Sequence, residues 1–176
     1  MKINPTSFSG LFEIELSKNG DSRGWFMRTY DFRIFESHIP GFKNTWMQMN
    51  HSYSENKYTW RGLHFQRQPF QETKLVRCIK GSVIDYVLDL REESSTYMKI
   101  YSVELSSVNN KMLYIPKGFA HGFLTLEDNT EMMYLHDEYY NPNFEEGVRF
   151  NDEKINLDLP FTPNFISLKD QNHKNL

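Results

Sequence analysis

Six side chains that can exchange protons are spread along this sequence: His64, Lys74, His121, Tyr134, Tyr140 and Asp170. Without a metal or a cofactor, groups of these types suit proton abstraction next to a carbonyl group. A neutral imidazole takes the proton, a carboxylate behind it fixes the tautomer, and a cation holds the developing oxyanion. A tyrosine on the opposite side can return a proton to the other face of the carbon, and this inverts it.

The spacing of the histidines argues against a metal centre. Metal-binding β-barrels of this kind place two histidines one residue apart and add a carboxylate. His64 stands alone between Leu63 and Phe65, and His121 also lacks a neighbouring ligand. The sequence contains neither a phosphate loop nor a Gly-x-Ser-x-Gly nucleophile motif. We therefore predict a site that uses neither a metal nor a cofactor.

Each of the six residues also has a purely structural explanation. A lone histidine on a strand is more often a satisfied core or surface residue, and Tyr134 and Tyr140 could be packed aromatics. Asp170 lies in a polar segment, and taken alone this context predicts an exposed side chain.

The stretch from Arg61 to Asp89 contains the elements that would position the first of these residues. Two runs of alternating residues meet at Lys80-Gly81-Ser82, which predicts a β-hairpin. Apolar residues occupy both registers, with Val76, Cys78, Val83 and Val87 on one and Ile84, Tyr86, Leu88 and Leu90 on the other. We predict that the second strand is buried on both sides and forms part of a barrel wall.

Short strands also account for most of the remaining chain. They are predicted at 11–16, 25–30, 45–54, 99–105, 111–115, 124–126 and 131–135, with the last two paired across a turn. One helix is predicted between Asp31, which can cap it, and Ile39. A tight bend is predicted over 116–123, and turns and short helices from Asn141 onward. This pattern favours an all-β barrel or sandwich.

Length and composition indicate a single domain over residues 1–176. The net charge of -3 gives no general attraction to nucleic acid or to anionic membranes. Cys78 is the one cysteine, and we expect it to be a buried, inert thiol. The N-terminal residues lack the apolar core of a signal peptide, and no run is long enough to span a membrane. We expect a cytoplasmic enzyme or binding protein.

Several motifs occur together in one order: Asp21-Ser22-Arg23-Gly24-Trp25-Phe26, Gln48-x-Asn50-x-Ser52, Arg61-Gly62-Leu63-His64-Phe65-Gln66, Lys74-Leu75-Val76-Arg77, residues 115–123 and Tyr139-Tyr140-Asn141-Pro142. In order and spacing the chain resembles the dTDP-4-dehydrorhamnose 3,5-epimerase family over nearly its whole length. The resemblance implies an all-β cupin-type jelly roll with a few short peripheral helices. It also implies a homodimer and a nucleotide-diphosphate sugar as substrate.

The resemblance also implies roles for individual residues. His64 resembles the general base, Asp170 its paired carboxylate, Tyr134 the general acid and Lys74 the group near the keto oxygen. The residues implied in substrate binding are Arg23, Phe26, Arg28, Gln48, Asn50, Ser52, Arg61, His121 and Tyr140. Arginines suit such a site because their planar forks bind phosphate oxygens in pairs.

The chain departs from the family pattern mainly at positions that affect recognition. Arg28 stands where a carboxylate is usual and Leu135 where a lysine is usual. Trp60 replaces a smaller aliphatic residue, and Phe150 and Leu159 stand where tryptophans are common. The nucleotide could therefore be CDP or GDP in place of dTDP, with inversion at C3, C5 or both. A sugar 3,4-ketoisomerase and a non-catalytic nucleotide-sugar-binding module remain alternatives.

Overall fold

The computed structural model describes residues 1–43, 45–155 and 157–176, and these ranges form short strands with two short helices. In the first half the elements are β1 Lys2–Pro5, β2 Phe12–Glu15, β3 Lys18–Asp21, β4 Gly24–Met27, α1 Phe32–His38, β5 Gln48–Ser54, β6 Thr59–Gln66 and β7 Lys74–Lys80. In the second half they are β8 Ser82–Asp89, β9 Ile100–Ser106, β10 Lys111–Ile115, β11 Phe119–Thr125, β12 Thr130–His136, β13 Glu145–Gly147, β14 Phe165–Ile166 and α2 Leu168–Gln171.

Two antiparallel sheets face each other. The first sheet has the strand order β1-β2-β10-β7-β12-β5. The second sheet has the order β13-β6-β11-β8-β9, with β14 running parallel to β6. The hairpin of β3 and β4 stands apart as a separate two-stranded ribbon. This arrangement confirms the predicted all-β jelly roll. No helix in the described ranges combines the length and the apolar character needed to cross a bilayer.

The core between the sheets follows the predicted registers. Val76 and Cys78 of β7 pack in one buried cluster with Val83 and Val87 of β8. The other face of β8 packs in a second cluster that includes Leu88, so β8 is buried on both sides as predicted. Burial raises the pKa of the Cys78 thiol to about 12, which keeps it protonated at neutral pH.

The predicted hairpin at Gly81 is wrong. Strand β7 pairs with β10 and β12 in the first sheet, whereas β8 pairs with β9 and β11 in the second. Gly81 has φ +75°, and the chain crosses there from one sheet to the other. The predicted pairing of 124–126 with 131–135 is wrong for the same reason, because β11 and β12 also lie in different sheets. Alternation predicts which side chains share a face, but it does not identify the partner strand.

The predicted helix is confirmed as α1. The Asp31 carboxylate accepts hydrogen bonds from the backbone N–H groups of Arg33 and Ile34, at 3.1 and 3.4 Å, and so caps the first turn. The predicted strand over 25–30 ends at Met27, and the bend predicted over 116–123 is confined to the turn before Phe119. The C-terminal part contains two short strands in addition to α2.

Strands β6 and β11 approach closely at two glycines. A Cβ atom on Gly62 would lie 2.4 Å from the Cα atom of Gly122, and a Cβ atom on Gly122 would lie 2.6 Å from the Arg61 carbonyl oxygen. Both distances are too short for a methyl group, so a side chain at either position would force the strands apart. This contact sets His64 and His121 opposite each other in the register.

We expect Gly62→Ala to lower the free energy of unfolding by about 1 to 3 kcal/mol more than its control, because the methyl group would overpack the strand contact. The matched control is Gly24→Ala, since Gly24 has φ +133° against +130° for Gly62 but no atom within 4 Å of its Cβ position. Urea denaturation of both variants measures the difference. Equal destabilisation would show that backbone conformation, and not the close contact, requires the glycine.

Candidate active site

A cavity of about 860 Å³ opens between the two sheets. This volume is within the range of small-molecule binding sites. Ten of the thirteen site residues predicted from the sequence line it: Gln48, Asn50, Ser52, Arg61, His64, Lys74, His121, Tyr134, Tyr140 and Asp170. They come from β5, β7 and β12 of the first sheet, from β6 and β11 of the second, from α2 and from the loop after β12.

The other three predicted residues, Arg23, Phe26 and Arg28, lie on or just after the exposed β3–β4 hairpin and do not line this cavity. Phe26 is 67% exposed. Arg23 pairs with Asp21, and Arg28 Nη1 lies 2.9 Å from the Asp31 carboxylate. In this chain taken alone, these residues are therefore separate from the ten that line the cavity.

His64 and Asp170 form a histidine–carboxylate pair in the wall of the cavity. His64 Nε2 lies 2.7 Å from Asp170 Oδ1, and the backbone N–H of Gly62 donates to Asp170 Oδ2 at 3.2 Å. Asp170 is only 4% exposed, although its sequence context predicted an exposed side chain. Since Nε2 is engaged by the carboxylate, Nδ1 of His64 is the ring nitrogen that can take a proton from a ligand.

The C-terminal segment positions Asp170 by its own short-range structure. Strand β14 runs beside β6, and the Ser167 hydroxyl then caps α2 by accepting from the Asp170 backbone N–H at 3.1 Å. Burial by itself raises the pKa of Asp170, but the hydrogen bonds from His64 and from the Gly62 N–H outweigh it. The pKa of Asp170 is lower than usual, and the group is a carboxylate at neutral pH.

A second histidine–carboxylate pair lies next to the first. His121 Nε2 is 2.8 Å from Asp85 Oδ2, and Asp85 is completely buried. Asp85 Oδ1 has no hydrogen-bond partner among the described residues. Burial raises the pKa of the Asp85 carboxyl, whereas the pKa of the Asp170 carboxyl is lowered. Asp85 shares the inward register of Val83 and Val87, and that register could have identified it.

Lys74 approaches the cavity from the first sheet. Its Nζ donates to the His64 carbonyl oxygen at 3.3 Å and lies 3.1 Å from Glu72 Oε1. The second oxygen of Glu72 is 2.8 Å from His136 Nδ1. Burial raises the pKa of Glu72, but His136 and Lys74 together lower it to about 2. Glu72 thus orients the lysine, and sequence analysis missed both Glu72 and His136 because no motif includes them.

Tyr134 reaches the cavity from β12 of the first sheet. Its hydroxyl group lies 2.9 Å from Ser52 Oγ on the neighbouring strand β5. Burial raises the pKa of Tyr134 well above its usual value, so the hydroxyl is protonated at neutral pH and gives up its proton only to a strong base. His64, whose ring can accept a proton, and Tyr134, whose hydroxyl can donate one, therefore face the same cavity from opposite sheets.

The remaining polar residues of the cavity come from β5, β6 and the loop after β12. Arg61 is held against β5, where Nε donates to Ser54 Oγ at 3.1 Å and Nη2 donates to the Tyr53 carbonyl oxygen at 2.9 Å. Gln48 accepts a hydrogen bond from the Tyr140 backbone N–H at 2.7 Å. An arginine with amide and hydroxyl groups nearby can bind an anionic, polar ligand.

Comparison with known proteins places the whole chain in one family. The sequence model of the dTDP-4-dehydrorhamnose 3,5-epimerase family matches residues 5–176. The enzyme of that name from Escherichia coli K12 is 42% identical over 172 residues, covering 97% of this chain and 92% of the relative. The one from Methanothermobacter thermautotrophicus is 40% identical, with 97% and 92% coverage.

Solved structures agree with the sequence match and with the cupin-type fold. The dTDP-4-dehydrorhamnose 3,5-epimerase of Bacillus anthracis, with TDP and pyrophosphate bound, superposes with a TM-score of 0.94 at 38% identity and 99% coverage of both chains. The epimerase of Legionella pneumophila, in complex with dTDP-4-keto-L-rhamnose, gives a TM-score of 0.93 at 34% identity, covering 99% of this chain and 92% of the other.

We expect Glu72→Gln to cost up to about 3 kcal/mol of unfolding free energy at pH 7. The pKa of Glu72 is about 2 in the folded chain and 4.5 in a model compound, so its stabilisation is present above pH 4.5 and is lost as the pH falls towards 2. Urea denaturation at pH 7, 5 and 3 should therefore show the two proteins converging on acidification. Exposed Glu92→Gln is the control, and a difference that stays constant down to pH 3 would contradict the assignment.

Proposed function

The chain belongs to the dTDP-4-dehydrorhamnose 3,5-epimerase family, and we propose that its cavity epimerises a nucleotide-linked 4-keto-6-deoxy sugar by proton transfer. As a member of this family it is an isomerase-class enzyme. The observation that carries the proposal is the placement of a base and an acid on opposite sheets. His64, backed by Asp170, faces the cavity from one side, and Tyr134 faces it from the other.

In the proposed reaction His64 Nδ1 removes the proton from a carbon next to the C4 carbonyl group. The C–H electron pair moves into a C=C bond, and the carbonyl π electrons move onto O4, giving an enolate. Lys74 stabilises that oxyanion, and Asp170 stabilises the imidazolium. Tyr134 then donates its proton to the same carbon from the opposite face, which inverts it. His64 returns its proton to solvent, and Tyr134 regains one, so that the cycle is balanced.

The nucleotide in this proposal is dTDP, as the names and ligands of the relatives suggest. The polar side chains of Gln48, Asn50, Ser52 and Arg61, which line the cavity, support a diphosphate position beside them. CDP- and GDP-linked sugars are the other carriers to test, because Arg28 changes the charge at the nucleobase end. The proposal also keeps the cytoplasmic location expected from the sequence.

We further propose that the enzyme acts as a homodimer in which each β3–β4 hairpin completes the partner copy's cavity. The hairpin projects from the two sheets as a separate ribbon and exposes Trp25 and Phe26, two large aromatic side chains. Arg23 on the same hairpin is paired only with the exposed Asp21 among the described residues. An exposed aromatic and arginine surface of this kind suits an interface that carries a phosphate ligand.

One observation favours a second candidate, a sugar 3,4-ketoisomerase. His64 and His121 are opposite each other in the β6–β11 register, on the same sheet. Two neighbouring histidines can move a proton along one face of a sugar, and this reaction needs no acid on the opposite sheet. Retained turnover in Tyr134→Phe would favour the ketoisomerase.

The test is incubation with dTDP-, CDP- and GDP-linked 4-keto-6-deoxy sugars in D₂O, with the C3 and C5 proton signals followed by NMR. We expect loss of these signals with the dTDP sugar and a reduction of about 10² to 10⁴ in that rate for His64→Ala, which lacks the base. In Tyr134→Phe we expect exchange to continue while the inverted product is lost. Exchange at an unchanged rate in His64→Ala would contradict the proposed base.

We expect Arg23→Ala and His64→Ala each to be nearly inactive alone, and their equimolar mixture to recover about a quarter of the wild-type activity after subunit exchange. Half of the dimers would be mixed, and each mixed dimer would have one cavity with both defects and one with none. Gel filtration and the exchange assay provide the measurements. If Arg23 serves its own chain, the mixture stays inactive, and that outcome rejects the shared site.

A further inference from the structure

His173, which follows α2, is packed against the proposed catalytic pair. Its ring lies over Gly147 of β13, so close that a Cβ atom on that glycine would be 2.3 Å from His173 Nε2. The ring also meets the His64 ring edge-on, with centroids 5.5 Å apart. The side chain is 10% exposed, and Nε2 lies 3.5 Å from Asp170 Oδ1. The contacts hold His173 beside the carboxylate that supports the base.

His173 Nε2 is buried and has no hydrogen-bond partner among the described residues. A buried polar atom without a partner is costly, and such atoms in native proteins call for an explanation. The atom lies close to ligand atoms of His64 and Asp170. One ligand atom from each of the three residues lies within 4.8 Å of the other two.

Two imidazoles and one carboxylate are a ligand set typical of zinc with an open fourth position. Zinc–ligand distances of about 2.0 to 2.2 Å place tetrahedral ligands about 3.3 Å apart. Asp170 Oδ1 lies 2.7 Å from His64 Nε2 and 3.5 Å from His173 Nε2, on either side of this value. The ligand atoms of the two histidines lie within 4.8 Å of each other, and rotation of the side chains would bring them to the distance that the ion requires. The sequence search for paired histidines missed this set because His64 and His173 are distant along the chain.

We propose that His64, Asp170 and His173 form a binding site for Zn²⁺ and that zinc bound there inhibits the enzyme. The inhibition rests on the proposed function. To bind the ion, His64 Nε2 must offer its lone pair, so the ring proton moves from Nε2 to Nδ1. Nδ1 is then already protonated and cannot accept the proton of the sugar. The zinc is a competitor of the reaction and takes no part in it.

Zinc binding is measured first, because it does not depend on turnover. Isothermal titration with ZnCl₂, and the visible absorption of bound Co²⁺, should show one specific site in the wild-type chain. We expect His173→Asn to weaken zinc binding by at least about 10- to 100-fold. Mutation of residues that only hydrogen-bond to metal ligands already lowers the metal affinity by that factor. Gly147→Ala, which displaces the His173 ring, should weaken it as well. His51→Asn, at an exposed histidine paired with Glu131, is the control and should bind as the wild type does.

The second measurement is proton exchange in D₂O with and without zinc. We expect micromolar to millimolar Zn²⁺ to stop exchange in the wild type, EDTA to restore it, and His173→Asn to exchange normally in both conditions. Equal zinc affinity in His173→Asn and the wild type would overturn the site, and zinc that binds without slowing exchange would overturn the inhibition. Absence of exchange in zinc-free wild type would instead reject the proposed function, while the binding result would still decide the site.

Discussion

The hydrogen bond between His64 and Asp170 joins positions 106 residues apart. Strand β14 and helix α2 of the C-terminal segment bring the two side chains together. Removing a carboxylate from water is costly unless charged or polar partners replace the water. Here the partners of the carboxylate are the imidazole and the Gly62 N–H, while the Ser167 cap holds the Asp170 backbone. They reach the carboxylate only when β14 has paired with β6 and α2 has turned back over the second sheet. The position of the His64 ring on β6 and the path of the C-terminal segment therefore depend on each other.

The two buried carboxylates of the site show how partners decide charge. Asp170 receives two hydrogen bonds from groups that favour its ionised form, and its pKa is lowered. Asp85 has His121 as its partner, one oxygen without a hydrogen-bond partner among the described residues, and complete burial, and its pKa is raised. Two aspartates that each contact a histidine therefore have pKa values shifted in opposite directions, because their other partners and their burial differ.

The sequence alone was sufficient for features that depend on local periodicity. The burial of β8 on both faces and the Asp31-capped helix follow from alternation and from capping chemistry, and both are confirmed. The crossover at Gly81 could not be predicted in this way, because a crossover and a hairpin share the same alternating pattern. Strand partners are chosen by contacts between distant segments, and sequence periodicity contains no information on them.

In the candidate site, too, features that depend on contacts between distant segments could not be predicted from local patterns. Ten predicted residues meet in one cavity. Six of them were candidates because their side chains can exchange protons, and the resemblance to a family, not periodicity, added the other four and the individual roles. Asp170 illustrates the reason, since its polar neighbours predict exposure and only its distant partner His64 explains its burial. Glu72, His136 and Asp85 were missed because each acts through a contact with another strand. A charged residue inside an apolar strand, as Asp85 is, was the one local signal available.

The placement of base, acid and cation also bears on how many carbons one site can invert. C3 and C5 both flank C4, so an enolate formed toward either carbon places its charge on the same oxygen, within reach of one cation such as Lys74. In a gluco-configured sugar the protons at C3 and C5 lie on the same face of the ring. In the proposed mechanism a single base on the second sheet, His64, can therefore serve both carbons, with Tyr134 on the opposite side and without a second catalytic pair.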